Sequence, residues 1–251
     1  MRRGVVLVLA VTFAATQARA HIAPSVDDNN RYLKLTPAAD RVRISYTVLF
    51  GEVPGALNRK TIDANKDGTI SDDEAAAFGT KVAGEVAPAL EVTVDGKVQP
   101  VSWATVAVGM GSPQTAAGSF SVDLVAWACL PVARGKHRIV LRDRFRIPRP
   151  GETEAKVEDS PGVILHHARV GTFNDPTHDY RFVGAGGPLS EDGLDVEFTA
   201  GDKAPLTADG TCAGTAAGKR PPVRMIMTLA AGIGFALAVL AVLLKRRRRR
   251  R

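Results

Sequence analysis

The sequence predicts a mainly β protein: an antiparallel, sandwich-like exported domain with an inserted helix–loop–helix, followed by one C-terminal transmembrane helix. Three observations carry this. Short segments of alternating apolar and polar residues recur along the middle of the 251-residue chain, as strands with one buried face require. One stretch, 53–87, instead shows helical spacing around a polar loop. Both ends of the chain carry apolar segments whose lengths and flanks mark them as membrane-directed.

The elements follow in order. Arg31-Tyr32-Leu33-Lys34-Leu35 alternates, and Pro37-Ala38-Ala39-Asp40 reads as a turn. Residues 41–50 alternate again, with Val42, Ile44, Tyr46 and Val48 on one face, so 31–50 is expected to be a hairpin. A short helix is expected from Val53 to Ile62, with Pro54 near its first turn. A second helix is expected from about Asp72 to Ala87, with Phe78, Val82 and Val86 at spacing four, and Pro88 ends it. Segments 90–94 and 98–103 flank Asp95-Gly96, the strongest short hairpin signal. Segments 120–127, 137–145, 163–170, 180–183 and 194–198 are further strand candidates. Near-regular spacing of many short strands suggests an antiparallel sandwich. Residues 201–224 are rich in Gly, Ala, Thr, Lys and Pro and read as a flexible stalk.

The ends set the expected topology. Met1-Arg2-Arg3, the apolar run Gly4 to Ala15 and the small-x-small site Ala18-Arg19-Ala20 form a signal peptide at 1–20. Met225 to Leu244 is 20 residues without a charge. At about 1.5 Å per residue it spans a hydrocarbon core of roughly 30 Å. Lys245 and six arginines follow, and such a block stays on the cytoplasmic side. The domain at 21–200 is thus expected outside the cytoplasm, held by a single span with a 245–251 tail. The sequence has no Asn-x-Ser/Thr sequon. The expected location is the periplasmic face of a bacterial inner membrane.

This topology reassigns the charge. The whole chain is +7, which would suit nucleic acid. The signal segment, Lys219, Arg220 and Arg224, and the tail hold thirteen cations and no acid, so residues 21–218 carry −6. The basicity serves topology, and nucleic acid is excluded as a partner. An acidic exported surface suits divalent cations and solubility. The expected partners are the membrane and an envelope protein.

The 12 residues from Asp63 to Glu74 have the pattern of an EF-hand calcium loop. Asp63, Asn65 and Asp67 occupy loop positions 1, 3 and 5, and Gly68 fills position 6, where the chain turns sharply. Thr69 offers its carbonyl at position 7, Ser71 its hydroxyl at position 9, and Glu74 a bidentate carboxylate at position 12. Calcium takes roughly six to eight oxygens at about 2.3–2.6 Å, so a tight loop must turn every second side chain inward. Ile70 at position 8 is the apolar residue that usually pairs two such loops. Calcium is the expected cofactor, bound by Asp63, Asn65, Asp67, Thr69, Ser71 and Glu74.

Ala20-His21, the strand opening Arg41-Val42-Arg43-Ile44-Ser45-Tyr46, the Glu52-Val53-Pro54 step, the calcium loop and Leu90-Glu91-Val92-Thr93-Val94-Asp95-Gly96 occur in one order. That order, over about residues 20–100, resembles the exported N-terminal domain of some bacterial nickel/cobalt exporters and HupE/UreJ-type membrane proteins. The resemblance implies an envelope β-domain with an inserted EF-hand-like element, and it supplies no catalytic residues. Those relatives continue into a multi-span transport domain, whereas this chain has a single predicted span, so transport is not implied. Cys212, the apolar span and the terminal arginines resemble bacterial sorting tails of the MYXO-CTERM or GlyGly-CTERM kind, which implies a surface-sorting alternative. The 213–224 gap before the span is longer than that pattern expects, and a permanent anchor is the reading adopted.

Other chemistry is sparse. Cys129 and Cys212 lie in the exported part, where disulfides persist. They form one bridge over a long loop, or Cys212 has a separate fate near the span. His166 and His167 are adjacent on an expected strand, so they point to opposite faces unless a bulge intervenes. A His167, His178 and Asp179 cluster matches no zinc spacing. A mature N-terminal His21 offers an amine–imidazole chelate suited to Cu(II) or Ni(II). The alternative function is therefore a transition-metal binding protein or metalloenzyme using His21. No nucleophile elbow, P-loop, HExxH or catalytic carboxylate pair is present. The expected role is calcium binding with a structural or partner-binding purpose, not catalysis.

Overall fold

Alternating burial organises the chain into two sheets. A computed structural model describes residues 27–171, 173–174, 181–182, 188–207 and 212. Strands β1 (Asn29–Pro37) and β2 (Arg41–Phe50) form the expected hairpin, with Leu33 opposite Tyr46. Leu33, Leu35, Val42, Ile44, Tyr46 and Val48 are all at most 1 % exposed. Burying one such aliphatic side chain contributes about 1.5–3 kcal/mol. A one-residue slip would expose the whole set, so the register is fixed by that face.

Helices α1 (Glu52–Ile62) and α2 (Asp72–Val86) follow, joined by the polar loop. Ser71 caps α2 with a reciprocal capping box to Glu74. Val82 and Val86 are buried. Phe78 meets Phe50 and Phe120 edge-on, at ring distances of 5.6 and 5.7 Å.

Strands β3 (Leu90–Val94) and β4 (Lys97–Gln99) pair around Asp95 and Gly96. Both turn residues have positive φ (48° and 80°), as a tight hairpin turn of this hand requires. The expected strand 98–103 is two pieces. β4 ends before Pro100, and β5 (Trp103–Gly109) joins the other sheet. Proline cannot donate to a ladder, and the chain changes sheets there.

The remaining strands are β6 (Phe120–Cys129), β7 (Gly135–Asp143), β8 (Pro150–Val157), β9 (Val163–Val170), β10 (Phe173–Asn174), β11 (Arg181–Phe182) and β12 (Leu194–Ala200), with a short helix α3 (Pro188–Glu191). The first sheet runs β11-β8-β1-β2-β6-β5 and the second β10-β9-β12-β7-β3-β4. Their inner faces share one core, including Leu33, Tyr46 and Val122 from the first and Ile139, Leu141, Val196 and Phe198 from the second.

Two features depart from the expected all-antiparallel plan. β8 was not anticipated, because Glu152, Glu154 and Lys156 leave it few apolar residues. It also pairs with β1 in parallel, Leu33 opposite Ala155. The chain reaches that position by crossing between sheets over residues 144–149.

Cys129, at the end of β6, is bridged to Cys212 across 83 residues of sequence, with Cα atoms 5.5 Å apart. Such a closure stabilises by roughly 2–4 kcal/mol. Residues 201–207, the start of the expected stalk, pack on the sandwich: Ala204 is 1 % exposed, and the Thr207 carbonyl accepts from Arg41 Nη2. Among the described residues no helix is long and apolar enough to cross a membrane. The expected signal peptide, the 225–244 span and the 245–251 tail lie outside the described residues.

Candidate metal-binding loop

Helix α1 ends as the chain reaches Asp63, whose N–H still donates to the Arg59 carbonyl. From there the side chains of alternate residues fold inward onto the loop's own backbone. Asp63 Oδ1 accepts from Asp67 N (3.2 Å), and Oδ2 from Gly68 N (2.9 Å). Asn65 Oδ1 accepts from Asp67 N (2.9 Å), and Asp67 Oδ1 from Thr69 N (2.8 Å). Gly68 has φ +86°, which glycine adopts without steric cost. Lys66 also sits at positive φ, 60°.

Glu74 closes the loop from the first turn of α2. Its Oε1 accepts from Ala64 N (2.8 Å), and its Oε2 from Ser71 N and Oγ (2.9 and 2.8 Å). The two ends of the loop are thereby joined through one carboxylate. Hydrogen bonds from the Ser71 backbone and hydroxyl, with smaller help from Ala64 and Asn65, hold the Glu74 carboxyl below its usual range. It is therefore ionised throughout the neutral range.

All six expected ligands, Asp63, Asn65, Asp67, Thr69, Ser71 and Glu74, thus lie on one hydrogen-bonded loop. The donors are oxygens only, three of them carboxylates, which matches a hard cation. The side-chain oxygens of Asp63, Asn65, Asp67, Ser71 and Glu74 accept from loop N–H groups here. Among the described residues no group of three or more His, Cys, Asp or Glu side chains is arranged to hold a metal ion.

The loop has a partner that the sequence did not reveal. Thr69 forms an isolated antiparallel bridge with Gln114. Ile70 N donates to the Pro113 carbonyl (2.8 Å), and Thr115 N to the Gly68 carbonyl (3.1 Å). Ile70 is buried at 4 % exposure. The β5–β6 connection, residues 110–119, therefore takes the place that a second calcium loop would fill.

Arg59 secures that connection. It is fully buried, and its guanidinium donates to the carbonyls of Met110, Ser112, Gln114, Gly118 and Ser119. Its charge also lies over the Phe120 ring, 5.4 Å from the centroid. A Cβ at Gly55 would fall 2.5 Å from the Gly118 carbonyl oxygen, so the close approach of α1 depends on glycine there. In sequence Arg59 sits beside Lys60 on a short helix and looks like any solvated cation. No local signal separates it from its neighbour.

A second polar group lies inside the sandwich. Arg31 Nη1 donates to Asp143 Oδ2, Arg31 Nη2 to the Phe145 carbonyl (3.1 Å), and Tyr46 Oη to Asp143 Oδ2 (2.8 Å). Burial, then the charge of Asp143, pushes the Tyr46 hydroxyl well above its ordinary range. A signal for this group did exist in the sequence. Arg31 falls in phase with Leu33 and Leu35, and Asp143 in phase with Ile139 and Leu141.

The histidines differ from expectation. A bulge in β9 leaves His166 as the extra residue between Leu165, opposite Phe198, and His167, opposite Glu197. Both rings then meet outward-facing groups of β12. His166 Nε2 lies 2.7 Å from Thr199 Oγ1, and His167 lies 3.7 and 3.9 Å from the carboxylates of Asp195 and Glu197. His21, His178 and Asp179 lie outside the described residues. Compared with known proteins, the chain matches no family model, no curated protein and no solved structure.

Proposed function

We propose that this protein is a calcium-binding exported domain held on the membrane by its C-terminal span, with a structural or partner-binding role rather than a catalytic one. The observation that supports this reading is the EF-hand-type loop. Five of its oxygen donors sit at alternating positions 63–71, Glu74 links its ends, and its backbone is braced by residues 110–119. Calcium would take the oxygens that now accept from loop N–H groups. Asp63, Asp67 and Glu74 put three negative charges in one short loop, and the ion would relieve their repulsion.

The ion tunes the domain rather than creating it. The two sheets share a core to which the loop contributes only Ile70. Binding to the folded state alone adds RT ln(1 + [L]/Kd), about 1.4 kcal/mol at ten times Kd. A single loop in a calcium-rich compartment suits a Kd of roughly 10⁻⁴–10⁻³ M.

Calorimetric titration and thermal melts of the full chain in detergent test the reading. One Ca²⁺ should bind, and millimolar Ca²⁺ should raise the melting temperature. Glu74→Gln and Asp63→Ala should abolish both effects. Magnesium should do less, because it prefers six rigid ligands and keeps its waters. A wild-type melt indifferent to calcium, with no binding heat up to about 10 mM, well above the weak end of that affinity range, would overturn it.

A further inference from the structure

Where the chain crosses from β7 to β8, it opens a cleft of about 550 Å³. Arg31 and Asp143 form its floor, Arg144 and Arg146 stand on its rim, and Phe145 and Ile147 supply apolar wall. Clefts of roughly 300–1,000 Å³ with apolar walls and a few convergent polar groups are the usual size for small organic ligands.

The charge balance of this cleft favours an anion. On the floor, Arg31 and Asp143 cancel as a buried pair, with side chains 4 % and 0 % exposed. On the rim, Arg144 pairs with Glu91 at 2.8 Å, and Glu91 also accepts from Arg142 (2.6 Å), which lies outside the cleft lining. Arg146 is exposed and makes no ion pair among the described residues. The rim therefore carries uncompensated positive charge on a domain that is acidic overall. The Arg31 Nε has no hydrogen-bond partner among the described residues but is itself enclosed, so the donors open to a ligand are those of the rim.

We propose that this cleft binds a small organic oxyanion, a carboxylate or phosphate ester with an apolar body. The rim guanidinium forks would hold the oxyanion, since their paired N–H groups match the two oxygens of a carboxylate or phosphate. The apolar part lies against Phe145 and Ile147. This site is independent of the calcium loop, so each stands or falls alone.

The test is calorimetry on the full chain in detergent, with a detergent-only blank. The probes are phenyl phosphate, benzoate, inorganic phosphate and neutral phenol. One molecule of phenyl phosphate or benzoate should bind per chain, more tightly than inorganic phosphate, and sodium chloride should weaken the binding. Whichever organic anion binds better identifies the headgroup. Arg146→Ala and Arg144→Gln change exposed side chains and should melt like wild type. Each should weaken binding about tenfold, as loss of one charge-assisted contact predicts. The proposal is overturned by no saturable heat up to about 10 mM, ten times a millimolar Kd. Equal binding of phenol, or unchanged affinity in both arginine variants, would overturn it as well.

Discussion

The acidic loop at 63–74 and the basic crossover at 143–150 sit on the same sandwich, and they are built in opposite ways. The loop's candidate ligand side chains satisfy themselves locally: the widest sequence separation across their hydrogen bonds is 10 residues. The crossover cleft rests on the Arg31–Asp143 contact, 112 residues apart, and the Tyr46–Asp143 bond, 97 apart. A self-contained site can be emptied or altered without disturbing the fold. A site whose floor is a buried ion pair shares its fate with the core.

The largest expected effect follows from that contrast. Asp143→Ala leaves the Arg31 guanidinium buried and unpaired and removes the acceptor of Tyr46. Loss of one partner from a buried pair costs about 3–5 kcal/mol. Urea unfolding should show that loss, and a change under about 1 kcal/mol, the range of exposed pairs, would mean the two sites are equally peripheral.

A smaller effect sharpens the comparison at the loop's edge. Arg59→Met keeps an apolar stem but strands the carbonyls of 110–119, at about 1–3 kcal/mol for unsatisfied buried groups. Because that segment pairs with Thr69 and Ile70, calcium affinity should fall as well. Lys60→Met, next door and exposed, should change neither quantity. Titrating both variants with Ca²⁺ separates the brace from general damage.

The smallest effect is at Glu74. Without calcium, Glu74→Gln should lower the urea midpoint only slightly: glutamine keeps one of the two acceptor oxygens, the group is solvent-exposed, and glutamine also serves in a capping box. A clear loss of stability in calcium-free buffer would show that the loop is a structural element like the Asp143 cluster.

Much of the fold was legible because burial alternates along the strands. The hairpin at 29–50, the Asp95-Gly96 turn and the helix boundaries near residues 62 and 72 all follow from period, turn chemistry and caps. β8 was not legible, because its ProGlyGluThrGluAlaLysVal run is polar and earns its place by pairing with β1 and β11. The bulge at His166 was equally hidden. It depends on the register of β9 against β12, which neither strand encodes alone.

The sequence by itself determined the phase of each strong strand and placed the candidate ligands Asp63, Asn65, Asp67, Thr69, Ser71 and Glu74 on one loop, since both follow from neighbouring residues. Only the tertiary structure decided that β5 belongs to the other sheet from β4, that Arg59 holds the 110–119 connection, and that Arg31 meets Asp143 beneath a cleft. The Arg59 and Arg31 contacts join residues 51 to 112 positions apart, and β5 pairs with β6 rather than with its chain neighbour β4. Their partners are chosen by how two buried faces pack, and no local pattern in the chain records that choice.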